Sequence, residues 1–293
     1  MSTSDRKVWN VPVTAATPRT RALAAALRRE LDGSTMGIRE IARVLDRSHT
    51  TISQWQNGKR VPHPDDVSAL LAVVGVTGRR RTEILELARN AADPNWLTVG
   101  VSQQLAGLIE CERTTIEIVN WSPLLVPGLL QTAEYAHTIY ANNDALARHE
   151  VEARVQLRLS RQGVLTDRKP VPAELSALIG EPALRQAIGG RDVMIAQLRH
   201  LLKSAELPTV TIQIVPVGEG WHPGLMGPFG LYNFAESPSI VHLEHHRSGV
   251  FLYDEGDVTA YKMASAAVRR AALSPAESVE LITNVISEME RLE

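Results

Sequence analysis

Two short helical patterns separated by a tight turn lie at residues 38–45 and 49–57, and they constrain the fold more than any other part of the chain. The first has a continuous apolar face at helical spacing, formed by Ile38, Ile41, Ala42 and Leu45. Asp46 and Arg47 fit a tight turn, and Ser48 is placed to accept a hydrogen bond from a free amide of the second helix. Because helices this short are stabilised mainly by packing, the pattern predicts a small all-α domain.

The second pattern, HTTISQWQN, has two chemically different faces. At about 100° per residue, Ile52 and Trp55 fall together on an apolar face. The opposite face carries short hydrogen-bonding side chains and no carboxylate, and it consists of His49, Thr50, Ser53, Gln54 and Asn57. Such a face fits the anionic major groove of DNA, where base edges offer donors and acceptors. Gly58 ends the pattern, and Lys59 and Arg60 follow within reach of a phosphate backbone.

The chain is predicted to contain two domains after a flexible arm at residues 1–17. Five helical patterns divided by glycine and proline place an all-α helix-turn-helix domain at residues 18–92. Residues 96–293 mix helical patterns with short β-branched or alternating runs, which predicts a larger α+β domain with antiparallel strands clustered between residues 210 and 254. The expected strands lie at residues 115–121, 210–215, 229–234, 240–244 and 250–253.

Charge is distributed unevenly between these domains. Residues 1–90 contain 15 lysines and arginines against 9 aspartates and glutamates, whereas the remainder contains 16 against 24. A basic unit joined to an acidic one is expected if only the first contacts phosphates. Every apolar run of the chain is far shorter than the about 20 residues that a membrane-spanning helix needs. The sequence has no secretory signal pattern, and its single cysteine is Cys111. We therefore expect a cytoplasmic, nucleoid-associated protein without a membrane partner.

The run IREIARVLDRSHTTISQWQNGKRVP resembles the Cro/repressor-like (XRE) helix-turn-helix family, over most of residues 19–75. Taken with the helical faces, the resemblance implies two sets of DNA contacts. The base-reading candidates are His49, Thr50, Ser53 and Gln54. The phosphate-contacting candidates are Arg39, Arg43, Thr51, Asn57, Lys59 and Arg60. Such domains usually bind palindromic operators as homodimers, so double-stranded DNA and a second copy of the chain are the expected partners.

The larger domain also resembles a known family, the uncharacterised domain that follows the helix-turn-helix of WhiJ-like actinobacterial regulators. The resemblance covers nearly all of residues 100–290. It is carried by VPGLLQTAEYA at residues 126–136, by residues 218–229, by Arg154, Arg158, Arg161 and Gln162, and by the closing ALSPAES. It implies regulation of development or secondary metabolism, often with a small partner protein encoded nearby.

Two segments of the larger domain are candidate binding elements. The run PGLLQT fits a turn followed by a helix cap, so the favoured interpretation is a structural corner of the chain. Alternatively, Leu129, Leu130 and Tyr135 border a groove for a ligand or a partner segment. The glycine-rich residues 220–227 lack the lysine and the strand-to-helix context of a phosphate loop, so we expect a hairpin lid that exposes Trp221 and His222.

No cofactor, metal or catalysis is expected. The tract HLEHH would place His242 and Glu244 on one strand face, but neither an HExxH helix nor a cysteine pair supports a zinc site. No serine lies in a nucleophile elbow, and Cys111 has no nearby histidine in sequence. Two functions remain: a transcriptional regulator whose C-terminal domain senses a small partner protein or ligand, or an antitoxin-like scaffold that neutralises a small partner and autoregulates its operon.

Overall fold

The structure is a computed structural model that describes residues 18–89, 91, 96–99, 101–142, 146–168, 171–235, 237–245 and 248–291. The chain divides into two compact units, Met1–Pro94 and Asn95–Glu293. The predicted arm at residues 1–17 lies outside the described residues. Each unit has its own hydrophobic core.

Within its described residues, the N-terminal unit is a bundle of five helices, which confirms the predicted all-α class. They are α1 (Pro18–Asp32), α2 (Ile38–Val44), α3 (His49–Gln56), α4 (Pro64–Val73) and α5 (Gly78–Arg89). The four-residue spacing of Leu23, Leu27 and Leu31 makes one stripe of α1 apolar, and all three side chains are buried. They share a core with Ile41, Ile52, Trp55, Leu70, Leu71 and Ile84, which come from the other four helices.

The described residues of the second unit form a mixed seven-stranded sheet with the strand order β1-β7-β6-β5-β2-β3-β4, which confirms the α+β class. The strands are β1 (Trp96–Val99), β2 (Glu117–Ser122), β3 (Glu174–Gly180), β4 (Val210–Val215), β5 (Phe229–Asn233), β6 (Ile240–Glu244) and β7 (Ser248–Leu252). The helices are α6 (Val101–Thr114), α7 (Ala133–Ala141), α8 (Arg148–Arg161), α9 (Pro182–Arg185), α10 (Arg191–Ser204), α11 (Glu255–Ala271) and α12 (Pro275–Arg291).

The sheet has a parallel part that sequence analysis did not predict. Strand β3 pairs in parallel with both β2 and β4, and helical crossovers make these connections. Strand β4 was expected among the antiparallel strands and is instead parallel to its neighbour. Strand β3 was missed because it is buried along nearly its whole length, so its sequence ELSALIG shows little alternation of apolar and polar residues. Strand β1 was missed as well.

The two faces of the sheet meet different surroundings. One face carries Val119, Trp121 and Leu231, which share a core with Val258 and Val268 of α11. Side chains alternate between faces along a strand, so the intervening positions of β2, β5 and β6 point to the opposite side. That opposite face forms one wall of a cavity.

Candidate nucleic-acid interface and cavity

The turn between α2 and α3 fixes the start of α3. Asp46 adopts a positive φ of 51°, which reverses the chain within a few residues. The Ser48 hydroxyl then accepts a hydrogen bond from the Thr51 amide at 3.0 Å, as the sequence predicts for an N-cap. Ile52 and Trp55 are buried against the core that includes Ile41, so α3 can turn only its polar side outward.

The polar side of α3 brings the base-reading candidates together. One surface depression of about 360 Å³ is lined by His49, Thr50, Ser53, Gln54, Asn57 and Lys59. Asn57 lies close enough to Ser53 for its amide to donate to the hydroxyl at 3.4 Å. All four predicted base-reading residues therefore border one continuous polar surface, together with two of the predicted phosphate contacts.

Three of the remaining four phosphate candidates are exposed arginines. Arg39, Arg43 and Arg60 are exposed, and among the described residues they have no ion-pair partner. Thr51 differs from them because its hydroxyl lies 2.8 Å from the Ser48 hydroxyl, so it already takes part in the helix cap.

Two contacts from outside the motif hold α3 in place, and sequence analysis did not identify them. Arg28 of α1 donates to the carbonyl oxygen of Gln56 at 2.7 Å, at the last residue of α3. Arg47 in the turn pairs with Asp66 of α4 at 2.9 Å. The polar side of α3 is thus presented by a helix that is anchored at both ends.

The second unit contains a cavity of about 910 Å³ between the sheet and α6, α7 and α8. Much of its lining is apolar, including Leu105, Leu108, Ile118, Val126, Leu129, Ile139, Leu175 and Phe229. Polar side chains are concentrated on α8 and the sheet, namely Arg154, Arg158, Arg161, Asn120, Tyr232, His242 and Glu244. This volume is within the range of sites that hold cofactors or drug-sized molecules.

Arg158 is the centre of a hydrogen-bond network at this cavity. Its Nη1 donates to Gln131 Oε1 at 2.8 Å, its Nη2 donates to the Tyr140 hydroxyl, and its guanidinium lies 5.0 Å from the centre of the Tyr140 ring. A β-carbon at position 128 would come within 3.1 Å of Arg158 Nη1, so Gly128 gives the guanidinium room to approach the backbone. Gln131 in turn donates to the Val126 carbonyl oxygen at 2.7 Å.

A buried ion pair closes another part of the cavity wall. Arg161 donates through Nε and Nη2 to the two carboxylate oxygens of Glu112, at 2.8 and 2.7 Å. Both side chains are nearly inaccessible, at 8% and 5% exposed. Burial opposes the charge on Arg161, but Glu112 outweighs it, and the net effect raises the pKa of the guanidinium.

His242 is neutral at physiological pH. Burial, with a smaller contribution from the charge on Arg161, lowers its pKa to about 4. Its ring stacks on Phe251 with the ring centres 4.5 Å apart. Burial also raises the pKa of Tyr232, on the neighbouring strand, well above its usual value. Asn120, Tyr232 and His242 therefore give the sheet side of the cavity uncharged polar groups, and its one carboxylate among the described lining residues, Glu244, is exposed to water.

The candidate binding residues at the PGLLQT corner are mostly structural. Leu129, Leu130 and Tyr135 are all buried, and only Leu129 of the three lines the cavity. The Tyr135 hydroxyl accepts a hydrogen bond from the Val126 amide at 3.2 Å, and the Thr132 hydroxyl caps α7. The segment is thus the predicted structural corner, and it also supplies Gln131 to the Arg158 network.

The predicted hairpin lid at residues 220–227 was wrong. The segment joins β4 to β5, which are not neighbours in the sheet, so it is a crossover and not a hairpin. Trp221 is 77% exposed, as expected, but His222 is buried with its ring edge against Trp121. The Trp121 indole donates to the Gly224 carbonyl oxygen at 2.7 Å. This hydrogen bond holds residues 222–224 against the core, and His222 is buried as a result.

Within the described residues, no group of three or more histidine, cysteine, aspartate or glutamate side chains is arranged to hold a metal ion. His246, which belongs to the HLEHH tract, lies outside them. No described helix is long and apolar enough to cross a membrane.

The α2–turn–α3 arrangement defines the N-terminal unit as a helix-turn-helix domain, and a family model described as a helix-turn-helix domain matches residues 22–84. The chain belongs to the family defined by the domain of unknown function DUF5753, whose model matches residues 105–284. No curated protein matches the chain. Among solved structures it is similar to TrmBL2, an archaeal chromatin protein described with a novel mode of DNA binding. That similarity has 11% identity over 88% of this chain and 93% of the other, with a TM-score of 0.31, and it supports no argument about fold or function.

Proposed function

We propose that this protein is a sequence-specific DNA-binding transcriptional regulator of the XRE type, and that its second unit senses a small ligand or a small partner protein. The observation that carries the proposal is the outward face of α3, where His49, Thr50, Ser53 and Gln54 border one polar surface that contains no carboxylate. Lys59 borders the same surface, and the Ser48 cap and the buried Ile52 and Trp55 hold α3 in place.

The chemistry of this face fits direct readout in the major groove. The Gln54 amide can pair with adenine through two hydrogen bonds, and His49 can donate to guanine. Lys59, Arg60, Arg39 and Arg43 would contact phosphates, which adds affinity without sequence preference. We further propose that a homodimer places two such helices on a palindromic operator, about one helical turn apart.

The experiment that tests the proposal is selection of binding sequences from random DNA duplexes by the purified full-length protein. The expected result is a palindromic consensus. The affinities of the unsubstituted protein, Gln54→Ala and Lys59→Ala for the consensus duplex and for nonspecific DNA are then measured at two salt concentrations. Gln54→Ala should weaken the consensus site by about 1–3 kcal/mol and nonspecific DNA little. Lys59→Ala should weaken both and reduce the salt slope by about one.

Arg79→Ala is the matched control, because Arg79 is 89% exposed on α5, outside the α2–turn–α3 motif. It removes the same charge as Lys59→Ala and should leave the consensus affinity nearly unchanged. Selection of no consensus, or equal losses for Arg79→Ala and Lys59→Ala, would contradict the proposed orientation of α3.

A second candidate is the antitoxin-like scaffold, in which the chain mainly neutralises a small partner protein encoded nearby. The observation that favours it is the exposure of large apolar side chains in the β4–β5 crossover, namely Trp221, Leu225 and Met226. The cavity instead favours a small molecule and a WhiJ-like regulator. We propose no catalytic role in either case. A stoichiometric complex with the neighbour-encoded protein that depends on Trp221 would favour the scaffold.

A further inference from the structure

We infer that the cavity of the second unit binds a small amphipathic organic anion, whose apolar body lies against the aliphatic walls and whose anionic group contacts Arg158. The inference deepens the proposed function, because such a molecule would be the effector of the regulator. Binding itself requires only the second unit, so it can be tested without DNA.

The walls account for the apolar body of the ligand. Leu105 and Leu108 of α6, Ile139 of α7, and Ile118 and Leu175 of the sheet converge on one space. The cavity has a volume of about 910 Å³. Water is poorly stabilised against these apolar walls, because a buried water molecule needs several polar partners. An apolar molecule of drug-like size gains by leaving water for such a space.

The charge balance accounts for the anionic group. Arg154, Arg158 and Arg161 share one face of α8, at spacings of four and three residues, and all three line the cavity. Glu112 neutralises Arg161. Arg158 instead donates to two neutral oxygens, those of Gln131 and Tyr140, and has no ion-pair partner among the described residues. Of the other titratable groups of the lining, His242 is uncharged, and Glu244 and His245 are exposed to water.

Unsatisfied polar atoms mark where the ligand would be held. Arg158 Nε, Asn120 Oδ1 and His242 Nε2 are buried and have no hydrogen-bond partner among the described residues. All three residues line the cavity, and His242 is only 4% exposed. Buried polar groups without partners are uncommon in folded proteins. An anionic oxygen would satisfy the Arg158 donor, and a hydroxyl or N–H group of the same ligand would satisfy Asn120.

The test uses a matched pair of fluorescent probes on the purified full-length chain. Anilinonaphthalene sulfonate is an aromatic anion, and phenylnaphthylamine is its uncharged parent. The expected result is saturable binding of one sulfonate per chain, about tenfold tighter than the neutral dye, which corresponds to about 1.4 kcal/mol. Equal or tighter binding of the neutral dye, or no saturable binding of either, would overturn the inference.

Variants assign the preference to the cavity. Arg158→Met keeps the bulk of the side chain and should weaken sulfonate binding about tenfold while changing neutral-dye binding little. Arg148→Met is the control, since Arg148 is exposed on the same helix and does not line the cavity. Because Arg158 also holds Gln131 and Tyr140, a second variant avoids that network: Asn120→Asp preserves shape and should weaken only the sulfonate. An unchanged sulfonate affinity in a folded Asn120→Asp variant would count against the site.

Competition identifies the anionic group. Decanoate and decyl phosphate should each displace the sulfonate dye in proportion to how well a carboxylate or a phosphate fits, whereas decanol should not. Displacement by decanol as effective as by both anions would overturn the inference. Dye binding by a chain that selects no DNA sequence would contradict the proposed function alone, and operator binding without dye binding would contradict the cavity assignment alone.

Discussion

Replacing Glu112 with glutamine should destabilise the second unit far more than the same change two residues earlier on α6. Glu112 accepts two hydrogen bonds from Arg161 at 2.7 and 2.8 Å, and neither side chain is more than 8% exposed. Removing one partner of a buried pair leaves an uncompensated charge and costs about 3–5 kcal/mol. Because the glutamine oxygen retains one hydrogen bond, we expect about 3 kcal/mol, the lower end of that range.

The control is Glu110→Gln. Glu110 also accepts two hydrogen bonds from an arginine and is itself only 9% exposed, but its partner Arg113 is 49% exposed and can turn to water when the charge is lost. The expected cost is below about 1 kcal/mol. Hydrogen exchange read by mass spectrometry suits the comparison, because it reports opening of β2 and α8 separately from the N-terminal unit. Glu112→Gln should speed exchange in these elements about a hundredfold.

Equal effects of the two substitutions would refute the argument that burial of the arginine partner makes the loss of Glu112 more costly than the loss of Glu110. A double variant adds a second check. Glu112→Leu with Arg161→Met removes both charges and keeps most of the volume, so it should recover much of the loss caused by Glu112→Gln. If the double variant were less stable than Glu112→Gln, the loss would come from packing and not from the unpaired charge.

Two further changes follow from the same structure. Gly224→Ala would place a β-carbon within 2.9 Å of Val268, Trp121 and His222. In urea titrations it should lower the free energy of unfolding by about 1–3 kcal/mol. Gly37→Ala is the control and should have little effect, because a β-carbon at Gly37 would meet open space. His242 has a pKa of about 4 when folded, against 6.5 for an unperturbed histidine, so the unfolded chain binds more protons between these values. Stability therefore falls as the pH drops through this range. When the pH is lowered from 8 to 5, the free energy of unfolding of the His242→Gln variant should therefore fall by on the order of 2 kcal/mol less than that of the unsubstituted chain. An identical pH dependence of the two proteins would contradict a buried neutral histidine.

The helix-turn-helix could be predicted almost completely because its signals are local. Ile52 and Trp55 are three residues apart and Ser48 caps the helix that it precedes, so periodicity and capping determine the buried and exposed sides of α3 without knowledge of distant contacts. The missing part was the long-range bracing. Arg28 contacts Gln56 across 28 residues, and no local pattern encodes such a contact.

The sheet and its cavity were predicted less well, for a related physical reason. A strand buried on both faces, such as Glu174–Gly180, is buried at every position after the first and loses the alternation that identifies half-buried strands. The side chains of the cavity come from separate elements, and Arg158 and Gln131 are 27 residues apart. The family resemblance singled out Arg154, Arg158 and Arg161 without their roles, which only the folded arrangement supplies.

If an organic anion binds in the cavity, Arg158 offers a way for that event to change the protein beyond the site. The same guanidinium holds Gln131 and Tyr140, and Gln131 also receives a hydrogen bond from Gln162 through its carbonyl oxygen. An anion that draws the guanidinium toward itself competes with these neutral acceptors, since charge-assisted hydrogen bonds are the stronger ones. A ligand shifts operator affinity only if it binds the DNA-bound and free forms with different affinity, and each tenfold difference corresponds to about 1.4 kcal/mol. Within the second unit, we expect ligand binding to act first on the corner at Pro127–Gln131, because the Gln131 side chain is held by the Arg158 guanidinium.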